Sequence, residues 1–161
     1  MMRVAGVVGA IVLGLGALTA CGDDTSAGSN PSTSTSQSAA QLKTADSGLG
    51  KILVDGNGRT VYVFDKDTAG KSNCEGDCLA KWPAVAAGDT TPTLEGVEVS
   101  TITRSDGSKQ LAVGGLPVYL FAGDSKAGET KGQAVGGVWW VVGPDGKKIT
   151  AQPSNDGNSG Y

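Results

Sequence analysis

Apolar and polar residues alternate in short bursts along most of this chain. Lys51-Ile52-Leu53-Val54 is a brief apolar run closed by Asp55-Gly56-Asn57-Gly58, and Thr60 to Phe64 resumes with β-branched and aromatic residues. An apolar run, an Asp-Gly or Asn-Gly turn and a second apolar run predict a hairpin. In its second strand Tyr62 and Phe64 share one face and Val61 and Val63 the other, since strand side chains alternate. Val97 to Thr103 alternates again, Ser105-Asp106-Gly107-Ser108 turns it, and Lys109 to Val113 returns. Gly114-Gly115 leads into Leu116 to Phe121. Val138 to Val142 is the last strong strand signal, and Pro144-Asp145-Gly146 turns it towards Lys147 to Thr150. Ala84 to Glu95 and the glycine-rich Gly128 to Gly137 are loops, the second without the spacing of a phosphate cradle. Seven or eight short strands with no helical period predict an all-β domain. The expected architecture is a small antiparallel sandwich or partly closed barrel.

One of these strands occurs twice. Tyr62-Val63-Phe64-Asp65-Lys66-Asp67 returns 57 residues later as Tyr119-Leu120-Phe121-Ala122-Gly123-Asp124, and both copies read Tyr-x-Phe-x-x-Asp. The likeness extends to the flanking Thr-Ala-Gly and Lys-Ala-Gly turns, so the domain is built from two related repeats.

The long apolar stretch is at the start. Met1-Met2-Arg3 precedes Val4 to Leu18, and Leu18-Thr19-Ala20-Cys21 places small residues before a cysteine. This resembles a bacterial lipobox. Residues 1–20 are then a cleaved signal peptide, and Cys21 becomes the acylated N-terminus that anchors the protein to the outer face of the cell membrane. An uncleaved span is the rival, but the run is short for one. Residues 21–47 are rich in Ser, Thr, Ala and Asp and read as a flexible linker that holds the domain roughly 30 Å from the bilayer. The two-repeat β domain is expected over residues 48–150 and a frayed tail over 151–161.

Composition narrows the chemistry. The formal charge is −3, and −4 once Arg3 leaves with the leader, so no basic patch for nucleic acid is expected. There is no histidine, and both methionines, Met1 and Met2, lie in the leader. That removes His or Met haem ligation, His-rich metal sites and triads built on histidine. No cofactor and no metal are expected. A calcium loop around Asp55, Asn57, Asp65 and Asp67 lacks a bidentate closing acid, and turns account for those residues without an ion.

Cys74 and Cys78 are the only thiols left beyond Cys21, in an oxidising compartment. A disulfide across this short loop is expected to stabilise by about 2 kcal/mol. A redox-active pair is the sharper alternative. Three residues separate the cysteines, and Glu75 and Asp77 beside them would raise a thiol pKa.

These residues together resemble a known family of small bacterial lipoproteins with a repeated Tyr-x-(Phe/Trp/Tyr)-x-x-Asp motif, described as secreted repeats of unknown function. The match spans roughly residues 49–145. It rests on Tyr62, Phe64 and Asp67, on Cys74, Cys78, Trp82 and Pro83, on Tyr119, Phe121 and Asp124, and on Val138-Trp139. Two positions depart from the family pattern: Ala84 stands where many members have a second proline, and Trp140 where many have histidine. A ligand role for that histidine cannot transfer. The resemblance implies location and architecture but no established chemistry.

Two uses of the repeated motif compete. In the structural one the rings fill the core and each aspartate accepts N–H bonds from the turn that follows it. In the functional one Tyr62, Tyr119, Trp82, Trp139 and Trp140 share an exposed face with Asp67 and Asp124, a surface suited to glycans or flat cofactors. Trp139 and Trp140 point to opposite faces by alternation. The favoured function is a non-catalytic, membrane-anchored envelope module that binds a cell-wall glycan or envelope protein, or serves structurally. The alternative is a redox or electron-transfer accessory that holds a small cofactor or uses Cys74 and Cys78. A hydrolase using Asp67 and Asp124 has only their duplication behind it, so no enzyme activity is expected.

Overall fold

The computed structural model describes residues 41–151. The expected signal peptide, Cys21, the expected linker as far as residue 40 and residues 152–161 lie outside the described residues. Seven strands follow in order: β1 (Leu42–Ser47), β2 (Gly50–Asp55), β3 (Tyr62–Phe64), β4 (Val99–Thr103), β5 (Lys109–Val113), β6 (Leu116–Tyr119) and β7 (Trp139–Val141). One five-residue helix, α1 (Asp77–Lys81), and a 3-10 turn at Val135–Gly137 interrupt them. The fold is all-β. It has two antiparallel sheets, one of β1 and β2 and one ordered β4-β5-β6-β3-β7.

The domain begins earlier than the polar composition of residues 42–47 implied. Instead of continuing the linker, β1 pairs with β2 from Leu42 opposite Asp55 to Ser47 opposite Gly50. An edge strand needs its backbone ladder and little inward apolar surface, here buried Leu42 and partly buried Ala45. At the other end the folded chain reaches Ala151, because Gln133 Nε2 donates to the carbonyls of Ile149 and Ala151 at 2.7 and 2.8 Å. The expected strand over Lys147 to Thr150 is reduced to one bridge between Val142 and Lys148.

The predicted β2–β3 hairpin forms its turn and then splits. Asp55 closes the turn, its N–H donating to the Arg59 carbonyl while Asp55 Oδ1 accepts the N–H groups of Asn57 and Arg59. Beyond the Val54–Thr60 bridge, Val142 enters between the two strands. It takes the Leu53 N–H on its carbonyl and gives its own N–H to Val61. The second repeat does the same with the first. Val85 takes the Leu111 N–H and donates to the Val118 carbonyl. Each repeat therefore lends its last strand to the other repeat's hairpin.

The equivalences show how close the duplication is. Tyr62 pairs with Tyr119 across β3 and β6; Tyr62 also faces Val141, and Tyr119 faces Ala84, each partner 57 residues from its counterpart. In β2 and β5 the offset becomes 58, with Leu53 matching Leu111. The first repeat has one residue fewer between its first two strands and one more between its next two. Two one-residue differences cancel.

The core divides on the two faces of β3, as the alternation predicted. Val61 and Val63 join Leu53, Leu111, Val118 and Val142 in an aliphatic cluster, while Tyr62 and Phe64 join Ile52, Trp82, Tyr119 and Trp139 in an aromatic one. Because both clusters draw on both repeats, neither repeat can bury its own apolar surface. A chain of residues 41–95 alone is expected to stay unfolded as a monomer, checked by far-UV circular dichroism and sedimentation. A folded monomer would show that the strand exchange is dispensable.

Candidate functional site

The repeated motif builds a single structure across the repeat boundary. Trp82 and Trp139, equivalent residues, stack with ring centroids 3.8 Å apart and planes within 3°. Phe64 stacks on the outer face of Trp139 at 4.3 Å and Phe121 covers Trp82 at 4.4 Å. Tyr62 meets Trp82 edge-on at 5.3 Å, and Tyr119 meets Trp139 at 5.2 Å. Three stacked rings and the tilted Phe121 form the column, and the two phenols meet it in the T-shaped arrangement that aromatic pairs favour. Gly132 permits the approach, since a Cβ there would lie 2.7 Å from the Trp82 ring and 2.8 Å from Tyr62.

Both phenols end on the other repeat's aspartate. Tyr62 donates its O–H to Asp124 Oδ2 at 2.7 Å, and Tyr119 donates to Asp67 Oδ2 at 2.6 Å. The second oxygen of each carboxylate accepts a backbone N–H, from Asn73 at 2.6 Å for Asp67 and from Lys131 at 3.0 Å for Asp124. The aspartates thus hold the loops after their own strands, as the structural use of the motif expects, but through residues beyond the adjacent turn. Their phenol partners come from across the molecule.

An exposed aromatic face does not form. Tyr62 and Tyr119 are fully buried, and Trp82, Trp139, Asp67 and Asp124 are each less than 10% exposed. Phe64 and Phe121 are half-buried at the ends of the stack. Rings of this size gain most by leaving water, and a sheet with both faces covered leaves them no open side. Trp140 points the other way, packs half-buried on the aliphatic cluster and donates its indole N–H to Asp65 Oδ2 at 2.7 Å. Cys74 and Cys78 form the expected disulfide, with Cα atoms 5.3 Å apart. It closes the loop that carries Ser72 and Asn73 towards Asp67.

Sequence reasoning missed Arg104 and Gln110. Arg104 is buried, donates to Ser72 Oγ at 2.8 Å, and also donates to Gln110 Oε1 and to the Cys74 carbonyl. Gln110 Nε2 in turn donates to the Val118 carbonyl at 2.9 Å. The first repeat has Ser47 and Ile52 at these positions, so this further polar network serves Tyr119 and has no counterpart beside Tyr62. Gln110 inside an otherwise apolar strand was the available signal, because a buried amide demands partners.

Burial pushes both carboxyls above their ordinary range, opposed by the tyrosine O–H and backbone N–H bonds and, for Asp67, by the Arg104 charge. Burial first, and then the bond to an aspartate, raises both phenols; Tyr119 is pushed up to about 12 and Tyr62 also rises.

A second feature lies on the aliphatic side. A groove of about 520 Å³ has Val63, Val97, Val113 and Leu116 in its lining, with Asp65, Glu98, Asp145, Lys147 and Lys148 around them. Lys148 Nζ meets Asp65 Oδ1 at 2.6 Å and lies 5.6 Å from the centre of the Trp140 ring. Asp65 therefore ties Trp140 and Lys148 to the groove wall. Among the described residues no group of three or more His, Cys, Asp or Glu gathers as a metal site.

Two outcomes are expected. In double-mutant cycles Tyr62→Phe should couple to Asp124→Asn by about 1–2 kcal/mol and Tyr119→Phe to Asp67→Asn likewise. The within-repeat pairs, Tyr62 with Asp67 and Tyr119 with Asp124, should be close to additive in urea unfolding. Stability should also fall above about pH 10. There the unfolded chain releases phenolic protons that the fold retains, by up to about 2.7 kcal/mol per pH unit for two tyrosines. Both aspartates act with the same sign at lower pH, since the fold favours their protonated forms and their contribution shrinks as pH rises through the raised values. Urea midpoints in wild type and Tyr62→Phe/Tyr119→Phe check the alkaline limb, and a loss equally steep in both would contradict it.

No curated protein and no solved structure matches the chain. Among the described residues no helix is long and apolar enough to cross a membrane. A family model does match, twice, over residues 43–86 and 100–143, and its description is a secreted repeat of unknown function. Both segments begin at the second residue of the first strand of a repeat and run through the segment it lends to its neighbour. Secretion places the domain outside the cytoplasm. The chain belongs to this family of secreted repeats of unknown function and carries two of them in tandem.

Proposed function

We propose that this protein is a non-catalytic module, anchored through acylated Cys21 to the outer face of the cell membrane, that binds an amphipathic ligand in the Val63–Leu116 groove. The groove is the observation that carries the proposal. Its volume of about 520 Å³ falls in the range of small-ligand sites, and an aliphatic lining with a few charged groups is their usual chemistry.

The groove is also something the fold does not require. The stacked rings, the Tyr–Asp bonds and the wedged valines come in pairs, one per repeat. Yet the counterparts of Asp65, Val113 and Leu116 are Ala122, Asp55 and Arg59. Asp55 is spent on its own turn, and Arg59 Nη2 donates to the Phe121 carbonyl at 3.3 Å. The groove, lined from both repeats, is therefore not reproduced by the duplication, which leaves it free to serve a ligand. The aromatic platform that would favour a glycan lies inside the core, so an aliphatic group with a polar end fits better than a sugar ring.

Fractionation and binding test the two halves of this proposal on the full chain. Cys21→Ser is expected to leave the membrane fraction for the soluble one, and a variant that stays bound would contradict the anchor. Anilinonaphthalene sulfonate serves as an amphipathic anionic probe, with Leu116→Glu placing a carboxylate in the groove. Binding should weaken about tenfold with urea stability kept near wild type. Equal binding by the two proteins would remove the groove as the site.

A further inference from the structure

The aromatic core combines three properties that a purely apolar core does not need together. First, Tyr62, Trp82, Trp139 and Tyr119 form one continuous series of contacts, with centroid separations of 5.3, 3.8 and 5.2 Å. Second, each terminal phenol already points its proton at a buried carboxylate, at 2.7 and 2.6 Å. The oxygen of Tyr62 also accepts the Gly132 N–H at 3.2 Å, which fixes its orientation. Third, competing oxidisable side chains are few, with Cys21, Trp140 and Tyr161 outside the series. The sequence has no histidine and no methionine after Met2, and Cys74 and Cys78 are joined to each other. Apart from Trp140, every tryptophan and tyrosine of residues 41–151 belongs to this series.

We propose that the Tyr62–Trp82–Trp139–Tyr119 series is a one-electron relay, in which each terminal tyrosine is oxidised to a neutral radical as its proton passes to the other repeat's aspartate. The partner is a metal-centred, outer-sphere oxidant that approaches the half-buried ends of the stack at Phe64 and Phe121. In the oxidising step the Tyr62 phenol gives one electron, through the stacked indoles, to the oxidant. Its O–H bond breaks, and the proton forms an O–H bond to Asp124 Oδ2. The products are a neutral tyrosyl radical, a neutral carboxylic acid and an oxidant reduced by one electron. A one-electron metal-centred reductant reverses the step. Tyr119 and Asp67 are the equivalent pair at the other end.

The surroundings favour this division of proton and electron. A buried carboxylate is costly in free energy, and the step replaces it by a neutral acid, so the fold is relieved of a charge as the radical forms. Loss of the electron alone would instead leave a phenol cation in the same apolar space. The carboxylate acts as a positioned general base on a proton only one hydrogen bond away.

Flash photolysis of the full chain with a photo-oxidised ruthenium tris-bipyridine complex tests the relay, with Tyr161→Phe in every protein so that Tyr62 and Tyr119 are the tyrosines compared. Transient absorption and electron paramagnetic resonance locate the radical. In wild type it should move from tryptophan to a neutral tyrosyl radical, with a solvent isotope effect. The Tyr62→Phe/Tyr119→Phe protein should hold it on tryptophan. Asp67→Asn/Asp124→Asn should form the tyrosyl radical about a hundredfold more slowly, the size of a lost general base. Trp140→Phe should behave as wild type. A radical that settles on Trp140, or that reaches tyrosine no faster in the folded chain than in urea, would overturn the proposal. If the aspartate variants do not fold, the tyrosine pair and the urea comparison still decide.

Discussion

Trp82 and Trp139 stack face to face at the point where the two repeats meet, and most of the architecture depends on that contact. Each indole comes from the segment that its repeat lends to the other, so the rings can meet only when both strand exchanges are complete. Once they meet, Phe64 and Phe121 close the column and the tyrosines find the aspartates of the opposite repeat. The pairing is cooperative in the plain sense that no half of it can form alone. It also explains why a domain with so many turns and such short strands has a continuous core: the apolar surface is shared across the repeat boundary rather than buried within each unit.

Duplication separates what the fold needs from what it tolerates. The Tyr–Asp bonds, the wedged valines Val85 and Val142, and the stacked rings all occur in both halves. The disulfide and the Arg104–Gln110 network occur in one, and the groove, lined from both, occurs once. Arg104 is a buried cation, and such a group persists only with near neighbours to hold it; here Ser72, Gln110 and the Cys74 carbonyl do so. The disulfide fastens the same loop from the other side. The asymmetric features therefore concentrate in two places, around Asp67 and Tyr119 and along the Val63–Leu116 wall.

Much of this was legible in the chain. Alternation placed Val61 and Val63 on one face of β3 and Tyr62 and Phe64 on the other, and put Trp139 and Trp140 on opposite sides. The cysteine spacing pointed to the disulfide. Three things were not legible. Residues 42–47 look like linker because an edge strand needs little apolar content, and only Leu42 is buried, with Ala45 partly so. The hairpin looked continuous because nothing local announces that Val142, 81 residues after Val61, will part its strands. Asp67 and Asp124 looked like caps of their own turns, since a carboxylate's second oxygen gives no sign of where its partner will come from.

By itself the sequence determined the strands other than β1, the repeat, the two faces and the presence of small polar groups beside large rings, because these follow from side-chain period and local turn chemistry. Tertiary structure decided which repeat each group serves. Whether Tyr62 meets Asp67 or Asp124, and whether an indole lies on a surface or inside, depends on how two hairpins exchange strands, and that is fixed by the joint burial of surface from both repeats. A period in the chain says that a side chain turns inward; only the packed partner says what it turns inward to meet.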